Sequence, residues 1–331
     1  MKKAVITEYG GPEVLSIIDA EPVKPGKNEV QIDVHYAGVA FADIIMRRGE
    51  YLGTPKIPFA PGWDIFGEII QTGEGVSEYK AGDKVCALTR FGGYSENVCV
   101  NRDRVFKVSD SINPAEAAAL PLNYITAYQL LTDYAKLNEN SRVLLFSAAG
   151  GVGTAVLQIA SAMNLKVFGV CSSEKTEVVK QFGGIPIDYK SPSYQEDLQK
   201  HSPEGYDLVL DPIGGEHLDF SINLVKKGGI LAGYGFFSAF KGDEMTGKVG
   251  DTIKQFLKLK FLQFNKKVRF YSINPKNYKK NKATMAIILD LYEKGSIKPL
   301  IGAEFNLEDV QKAHERLSSG KNSGKIVLRC K

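Results

Sequence analysis

The residues best spaced for chemistry lie between Val143 and Ala160, in the run Val-Leu-Leu-Phe-Ser-Ala-Ala-Gly-Gly-Val-Gly-Thr-Ala-Val-Leu-Gln-Ile-Ala. An apolar stretch enters a glycine turn and leaves it as an amphipathic one. Ala148, Gly150 and Gly153 occupy the three places of a G-x-G-x-x-G turn, with alanine in the first. Gly150 lets backbone approach an anion closely, and Gly153 lets the following helix pack against the preceding strand. The free N–H groups at that helix's positive end then favour a diphosphate. A glycine turn made for packing alone does not require a strand before it, a helix after it and a second strand at Lys166–Val170. All three are expected here. Ala149, Gly150, Gly151, Val152 and Gly153 are therefore the candidate cofactor turn. The uncharged stretch from Val143 to Leu165 is long enough to span a bilayer. Its glycine cluster, with Gln158, Ser161 and Asn164 beyond, reads as strand, turn and helix instead.

The second strand runs into Cys171-Ser172-Ser173-Glu174-Lys175. About twenty residues past such a turn, an NAD site places a carboxylate on the ribose 2′-hydroxyl. No acid stands at Val170–Ser173; two hydroxyls come first, and Lys175 follows. Hydroxyls and a lysine suit a 2′-phosphate, which takes donors and positive charge. NADPH is thus the expected cofactor, with Glu174 opening a helix and pointing away. Ser172 and Ser173 also have the chemistry of caps for that helix, and the two roles are compatible.

Other chemistry is poorly supplied. Cys86, Cys99, Cys171 and Cys330 are the 4 cysteines and form no C-x-x-C pair. They suggest neither a zinc knuckle nor a disulfide framework, and four free thiols fit a reducing, cytoplasmic compartment. His35, His201, His217 and His314 are isolated, so no metal site is expected. A serine hydrolase would need a G-x-S-x-G elbow, which is missing. The N-terminus carries lysines but no apolar run behind them, and does not read as a signal peptide.

Around these residues the chain changes rhythm. With 331 residues, two domains are the prior. Up to about residue 120, short β-branched runs (Glu29–Tyr36, Gly67–Gln71, Lys84–Leu88, Glu96–Val100) alternate with Pro and Gly punctuation, as in a barrel or sandwich. Helical composition follows over Pro114–Leu120 and Asn123–Leu137. After Ser141, strands and helices alternate, which implies βαβ units and a parallel sheet. The last sixty or so residues are too few for a domain of their own and are expected to return to the first. The expected division is 1–122, 123–267 and 268–331. Hydrophobic residues make up 44%, charged residues 24%, and the net charge is +4. Such a balance is ordinary for a globular protein and does not argue for nucleic acid as a partner.

Ala37-Gly-Val-Ala-Phe-Ala-Asp43, Arg48-Gly-Glu-Tyr51, Pro58-Phe-Ala-Pro-Gly62, Gly73-Glu-Gly-Val-Ser77, Ala81-Gly-Asp-Lys-Val85, Ser147–Gly153, Asp211-Pro-Ile-Gly-Gly215 and Gly324-Lys-Ile-Val-Leu328 together resemble the medium-chain dehydrogenase/reductase superfamily. The resemblance covers nearly the whole chain and points to the zinc-free quinone oxidoreductase (zeta-crystallin-like) branch. Leu122–Tyr128 and the insert after Tyr234 look like the vesicle amine transport protein-like reductases. The fold implied is α/β: a Rossmann dinucleotide-binding domain plus a discontinuous, GroES-like, β-rich catalytic domain, with the active site in the cleft. The activity implied is NADPH-dependent reduction of a quinone or an α,β-unsaturated carbonyl. Zinc-dependent relatives carry a cysteine and a histidine where this chain has Val39–Phe41 and Gly62-Trp63-Asp64. Quinone reductases usually carry Asn where this chain has Ala40. The resemblance puts Ser172, Ser173, Lys175 and Tyr189 on the 2′-phosphate, and Thr126, Phe270 and Lys325 beside the nicotinamide. Tyr51 is the candidate to stack on, or hydrogen-bond, the acceptor; a rim tyrosine that only packs is the other reading.

Without a metal to polarise an alcohol, reversible alcohol oxidation lacks its Lewis acid. Hydride transfer to an electron-poor acceptor needs chiefly alignment. A second class of function rests on Lys241–Phe270, where Lys241, Lys248, Lys254, Lys258, Lys260, Lys266, Lys267 and Arg269 face only Asp243, Glu244 and Asp251. Phe256, Leu257, Leu259, Phe261, Leu262 and Phe264 are interleaved. Such a stretch suits contact with a membrane surface or RNA; a lid or interdomain helix that buries these apolar residues is the favoured expectation. A homodimer is also expected, its sheet continued through the strand near Gly229–Gly235 as the last of the sheet.

Overall fold

The computed structural model describes residues 1–241, 244–262 and 265–331. The chain divides into two compact units. One comprises Met1–Ile125, Asn274–Glu293 and Pro299–Lys331; the other comprises Thr126–Ile273 and Lys294–Lys298. In chain order the first unit opens with β1 (Lys2–Ile6), β2 (Leu15–Asp19), β3 (Glu29–Val39), α1 (Phe41–Arg47), β4 (Asp64–Thr72), β5 (Lys84–Leu88), β6 (Asn97–Asn101) and β7 (Val105–Lys107). Helix α2 (Pro114–Thr132) begins in that unit and ends in the other.

The second unit follows with β8 (Arg142–Leu145), α3 (Gly151–Ala162), β9 (Lys166–Cys171), α4 (Thr176–Gln181), β10 (Ile185–Asp188), α5 (Tyr194–His201), β11 (Tyr206–Asp211), α6 (His217–Asn223) and β12 (Val225–Gly233). The short strands β13 (Phe240–Lys241) and β14 (Glu244–Met245), then α7 (Val249–Leu262) and β15 (Lys267–Phe270), complete it. The chain returns to the first unit with α8 (Tyr278–Glu293), β16 (Ile301–Asn306), α9 (Val310–Ser318) and β17 (Lys325–Arg329).

In the second unit the sheet order is β10-β9-β8-β11-β12-β15, and every pair is parallel. The chain builds outward from β8 in one direction, then jumps to β11 and builds outward in the other. This reversal between β8 and β11 is where open α/β sheets take ligands, outside the carboxyl ends of their strands. Buried Leu144, Phe168, Val209, Leu231 and Val268 join in one core. The run Val143–Leu165 is a strand, a turn and a helix, and no helix among the described residues is long and apolar enough to cross a membrane.

Two expectations are corrected here. The strand over Gly229–Gly235 is not last in the sheet. It is part of β12, which lies between β11 and β15, so β15 is the edge. The reason is that Lys267–Phe270, too short and too charged to read as a strand, pairs in parallel with Ile230–Gly233. Nor does α7 bury all of its apolar residues: Phe256 and Leu259 are inside, whereas Leu257, Phe261 and Leu262 are exposed. Phe264 and Asp243 lie outside the described residues.

In the first unit a mostly antiparallel sheet runs β16-β17-β3-β4-β5-β7, with β6 also on β3. The expected break between the helical runs at Leu120 and Asn123 is absent, since α2 passes through Pro121 without ending. Proline there removes a backbone donor and disturbs the helix ladder. The next N–H, that of Leu122, donates to Asp64 Oδ2 at 3.3 Å. Tertiary structure thus supplies a partner where the helix ladder is weakest.

Candidate functional site

The glycine turn is held from both sides. Phe146 N–H donates to the Leu210 carbonyl at 3.1 Å, and Ala148 N–H to that of Val170 at 3.0 Å, so β11 and β9 both grip the end of β8. Ser147 takes φ 56°, a left-handed conformation uncommon outside glycine. Gly153 has no alternative: a Cβ there would stand 2.4 Å from the Ser147 carbonyl oxygen and 2.5 Å from that of Ala148. Gly150, with φ −77°, caps α3 by its backbone alone; the helix has no side-chain cap and no acid in its first turn. The N–H groups of Gly151, Val152 and Gly153 therefore face outward at a positive helix end. This cradle fits a diphosphate. Ala149 is buried behind it.

One strand over, β9 and β10 end in register, Cys171 opposite Asp188. The Tyr189 N–H donates to the Cys171 carbonyl at 3.1 Å, which sets Tyr189 alongside Ser172. Ser172 is nearly buried, Lys175 half-buried, and Ser173 and Tyr189 exposed. Burial pushes the Cys171 thiol up to about 11. The expected helix opening at Glu174 is a 3-10 turn over Ser173–Lys175, and the Ser172 hydroxyl does not cap it. Nor does Glu174 point away. Its Oε1 lies 2.9 Å from Lys190 Nζ, and its carboxylate also bonds to the Ser172 side chain. Lys190 first, then Ser172, holds the carboxyl down at about 2. A short turn lets the side chain fold back into the cluster, as a full helical turn would not. Lys190 is the residue that sequence reasoning missed; its signal was a lysine directly after Tyr189 at a strand end.

Also in this unit, Thr126 is buried in α2 and hydrogen-bonds Tyr271, whose hydroxyl donates to Gln129 Oε1 at 3.0 Å. Phe270 ends β15 within an aromatic cluster, 5.3 Å from the Phe236 ring and 5.6 Å from that of Phe256.

The first unit's candidates are held by buried charges. Asp43 Oδ2 accepts from Ala40 N–H at 2.9 Å and from the Tyr94 hydroxyl at 3.0 Å, and Oδ1 accepts from Gly62 N–H at 3.0 Å. Burial pushes this carboxyl up to about 6 against those bonds. The Tyr94 hydroxyl also meets His314 Nε2 at 3.2 Å. Lys325 Nζ lies 3.0 Å from both oxygens of Asp64, and both side chains are buried. They sit so close over Gly38 that a Cβ there would meet Asp64 Oδ1 at 2.2 Å.

Tyr51 packs edge-on to Trp63, with centroids 6.1 Å apart, and burial pushes its hydroxyl up to about 12 against the nearby Arg90. The segments where zinc-dependent relatives carry ligands are thus filled by Ala40 at the mouth of α1 and by Trp63. Among the described residues, no group of three or more His, Cys, Asp or Glu is placed to hold a metal ion.

A family model described as an alcohol dehydrogenase GroES-like domain matches residues 26–110, and one described as a zinc-binding dehydrogenase matches residues 184–328. The synaptic vesicle membrane protein VAT-1 homolog of Danio rerio is 37% identical, over 98% of this chain and 69% of that protein. The quinone oxidoreductase of Mus musculus is 31% identical, over 99% of this chain and 97% of that protein. Among solved structures, a mycobacterial protein complexed with NADPH superposes with a TM-score of 0.87 at 26% identity, covering 99% of this chain and 100% of that one.

Proposed function

The chain belongs to the medium-chain dehydrogenase/reductase superfamily, near the VAT-1 homologues and the quinone oxidoreductases, and from that premise we propose that it is an NADPH-dependent, zinc-independent reductase of quinones or α,β-unsaturated carbonyls. The observation that carries the reading is the meeting of Ser172, Lys175 and Tyr189 at the carboxyl ends of β9 and β10, one strand over from the uncapped start of α3. Hydroxyls and an ammonium are the donors a 2′-phosphate takes.

When bound, NADPH supplies the hydride. The chain binds and orients. Ala149–Gly153 take the diphosphate on the α3 N–H groups, and Ser172, Ser173, Lys175 and Tyr189 take the 2′-phosphate. Thr126 and Phe270 border the nicotinamide. Lys325, its ammonium engaged by Asp64, acts as a positioning residue. Tyr51 keeps its proton at neutral pH, since its hydroxyl is raised to about 12, so it can donate to an acceptor oxygen or stack on the ring. Val39–Phe41 and Gly62–Asp64 offer neither sulfur nor imidazole, which supports zinc independence. The free thiols of all four cysteines support a cytoplasmic setting.

The test is NADPH consumption with a panel of quinones and enones, with and without a chelator. No turnover of either class overturns the reading, and loss of activity on chelation overturns zinc independence. A charge-assisted contact contributes about 1.5–3 kcal/mol, so Lys175→Ala should weaken NADPH binding roughly 10- to 150-fold and leave NADH unchanged. A wild type that prefers NADH overturns the cofactor assignment.

We further propose a homodimer formed through the outer edge of β15, whose backbone pairs with no further strand among the described residues and invites a partner strand; a monomeric mass by light scattering at micromolar concentration would refute it. A second reading has one observation in its favour. Leu257, Phe261 and Leu262 are exposed on α7 beside the exposed Lys254, Lys258 and Lys260, a face suited to an anionic membrane surface. Co-sedimentation with anionic but not neutral vesicles, in a protein that turns over no acceptor, would favour it.

A further inference from the structure

At the carboxyl ends of β9 and β10 the chain brings together more charge than its own folding uses. Lys190 Nζ lies 2.9 Å from Glu174 Oε1, with half of the lysine side chain and two-thirds of the glutamate exposed, so packing does not force the pair together. An ion pair this open adds little to stability. The root of the lysine is nonetheless fixed, because its backbone N–H donates to Asp188 Oδ1 at 2.9 Å. The carboxylate also bonds to Ser172, a hydroxyl assigned above to the 2′-phosphate. An anion held by one lysine and one serine hydroxyl, at a strand end that places Tyr189 next to Ser172, has the bonding that a phosphate oxygen would have there.

We propose that Lys190 is a specificity-determining residue that changes partner, from the Glu174 carboxylate in the free protein to the 2′-phosphate when NADPH binds, and that Glu174 is an internal surrogate for that phosphate. The inference rests on the NADPH reading given above. No covalent bond changes; one ion pair replaces another. Glu174 opposes NADPH in two ways. It occupies Lys190 and Ser172 beforehand, and once displaced its charge stays near the incoming phosphate. NADH brings no phosphate into this exchange, so with NADH the pair stays closed.

Dissociation constants for NADPH and NADH, measured by titration on wild type, Glu174→Gln, Lys190→Ala and Lys175→Ala, test the exchange. Both new positions are exposed, so the variants should fold. Glu174→Gln should tighten NADPH roughly two- to fivefold, the scale of an exposed ion pair. Lys190→Ala should weaken NADPH roughly five- to twentyfold, a charge-assisted contact discounted for exposure. NADH should move less than about twofold in either. The exchange is overturned if Glu174→Gln leaves NADPH unchanged or weakens it, or if Lys190→Ala shifts both cofactors alike. If Lys175→Ala weakens NADPH alone while Lys190→Ala does nothing, the exchange is wrong and the cofactor reading survives. If neither lysine separates the two cofactors, the cofactor reading fails and takes the exchange with it.

Discussion

The ends of β8, β9 and β10 and the interior of the first unit are organised on opposite principles. At the strand ends, backbone N–H groups and exposed side chains are left available, with a helix start uncapped and an ion pair in open water. In the first unit, charge is turned inward. Asp43, Asp64 and Lys325 are buried and bound to their own chain, fixing Ala40, Gly62 and Leu122 around them. On the reading proposed above, one region is arranged for an anion from outside. The other uses its charges to fix loops, and seats the half-buried Tyr51 edge-on against the buried Trp63.

If that contrast holds, damage should differ in kind. The largest effect is expected at the Asp64–Lys325 pair. Lys325→Met leaves a buried carboxylate unpaired and should cost about 3–5 kcal/mol of stability by denaturant unfolding. Adding Asp64→Leu should recover much of the loss. A single variant as stable as wild type would mean that the pair does not hold the unit.

Next comes pH. The folded chain keeps the Asp43 proton up to about pH 6, whereas an ordinary aspartate carboxyl releases it near 3.8. Between these values the folded state holds the extra proton, so this group's contribution lowers stability as pH rises, by at most about 3 kcal/mol, and is flat above. The difference between wild type and Asp43→Asn, followed from pH 4 to pH 7, isolates it. A difference that does not vary with pH would rule out the raised carboxyl.

Smaller again is Gly153→Ala, whose Cβ must push α3 off two carbonyl oxygens. About 1–3 kcal/mol of stability should go. Because the diphosphate cradle moves, NADPH and NADH should weaken together, unlike the selective loss at Lys175. Selective loss at Gly153 would blur the distinction. Smallest is Phe261→Ser on the exposed face of α7, expected to change stability by less than about 0.5 kcal/mol. A large loss would show that this face is covered in solution.

The strand ends were legible in sequence because their logic is local. An apolar run, a glycine turn and a helix are contiguous, and Ser172 to Lys175 sit where the strand period places them. Lys190 was missed because it meets Glu174 only once β9 and β10 pair. The first unit's strands could be read from β-branched runs, but its polar core could not. Asp64 and Lys325 are 261 positions apart, and no periodicity links them. Helix α1 was hidden for a related reason: Asp43 and Arg47 within it are fully buried, so the seven-residue helix shows no polar face. The short strand that Phe270 ends, and with it the true edge of the sheet, was not recognised, because Lys267–Phe270 is brief and charged.

The Tyr51–Trp63 contact has an optical consequence. Trp63 is the chain's 1 tryptophan, so intrinsic emission excited at the red edge of protein absorption comes from the first unit and not from the second. Buried and edge-on to Tyr51, the indole should emit toward the blue and shift to the red only when its own surroundings open. Emission therefore follows the melting of the GroES-like unit by itself, while far-ultraviolet circular dichroism follows both. Two midpoints that fail to coincide would mark the moment at which one unit has come apart and the other still stands.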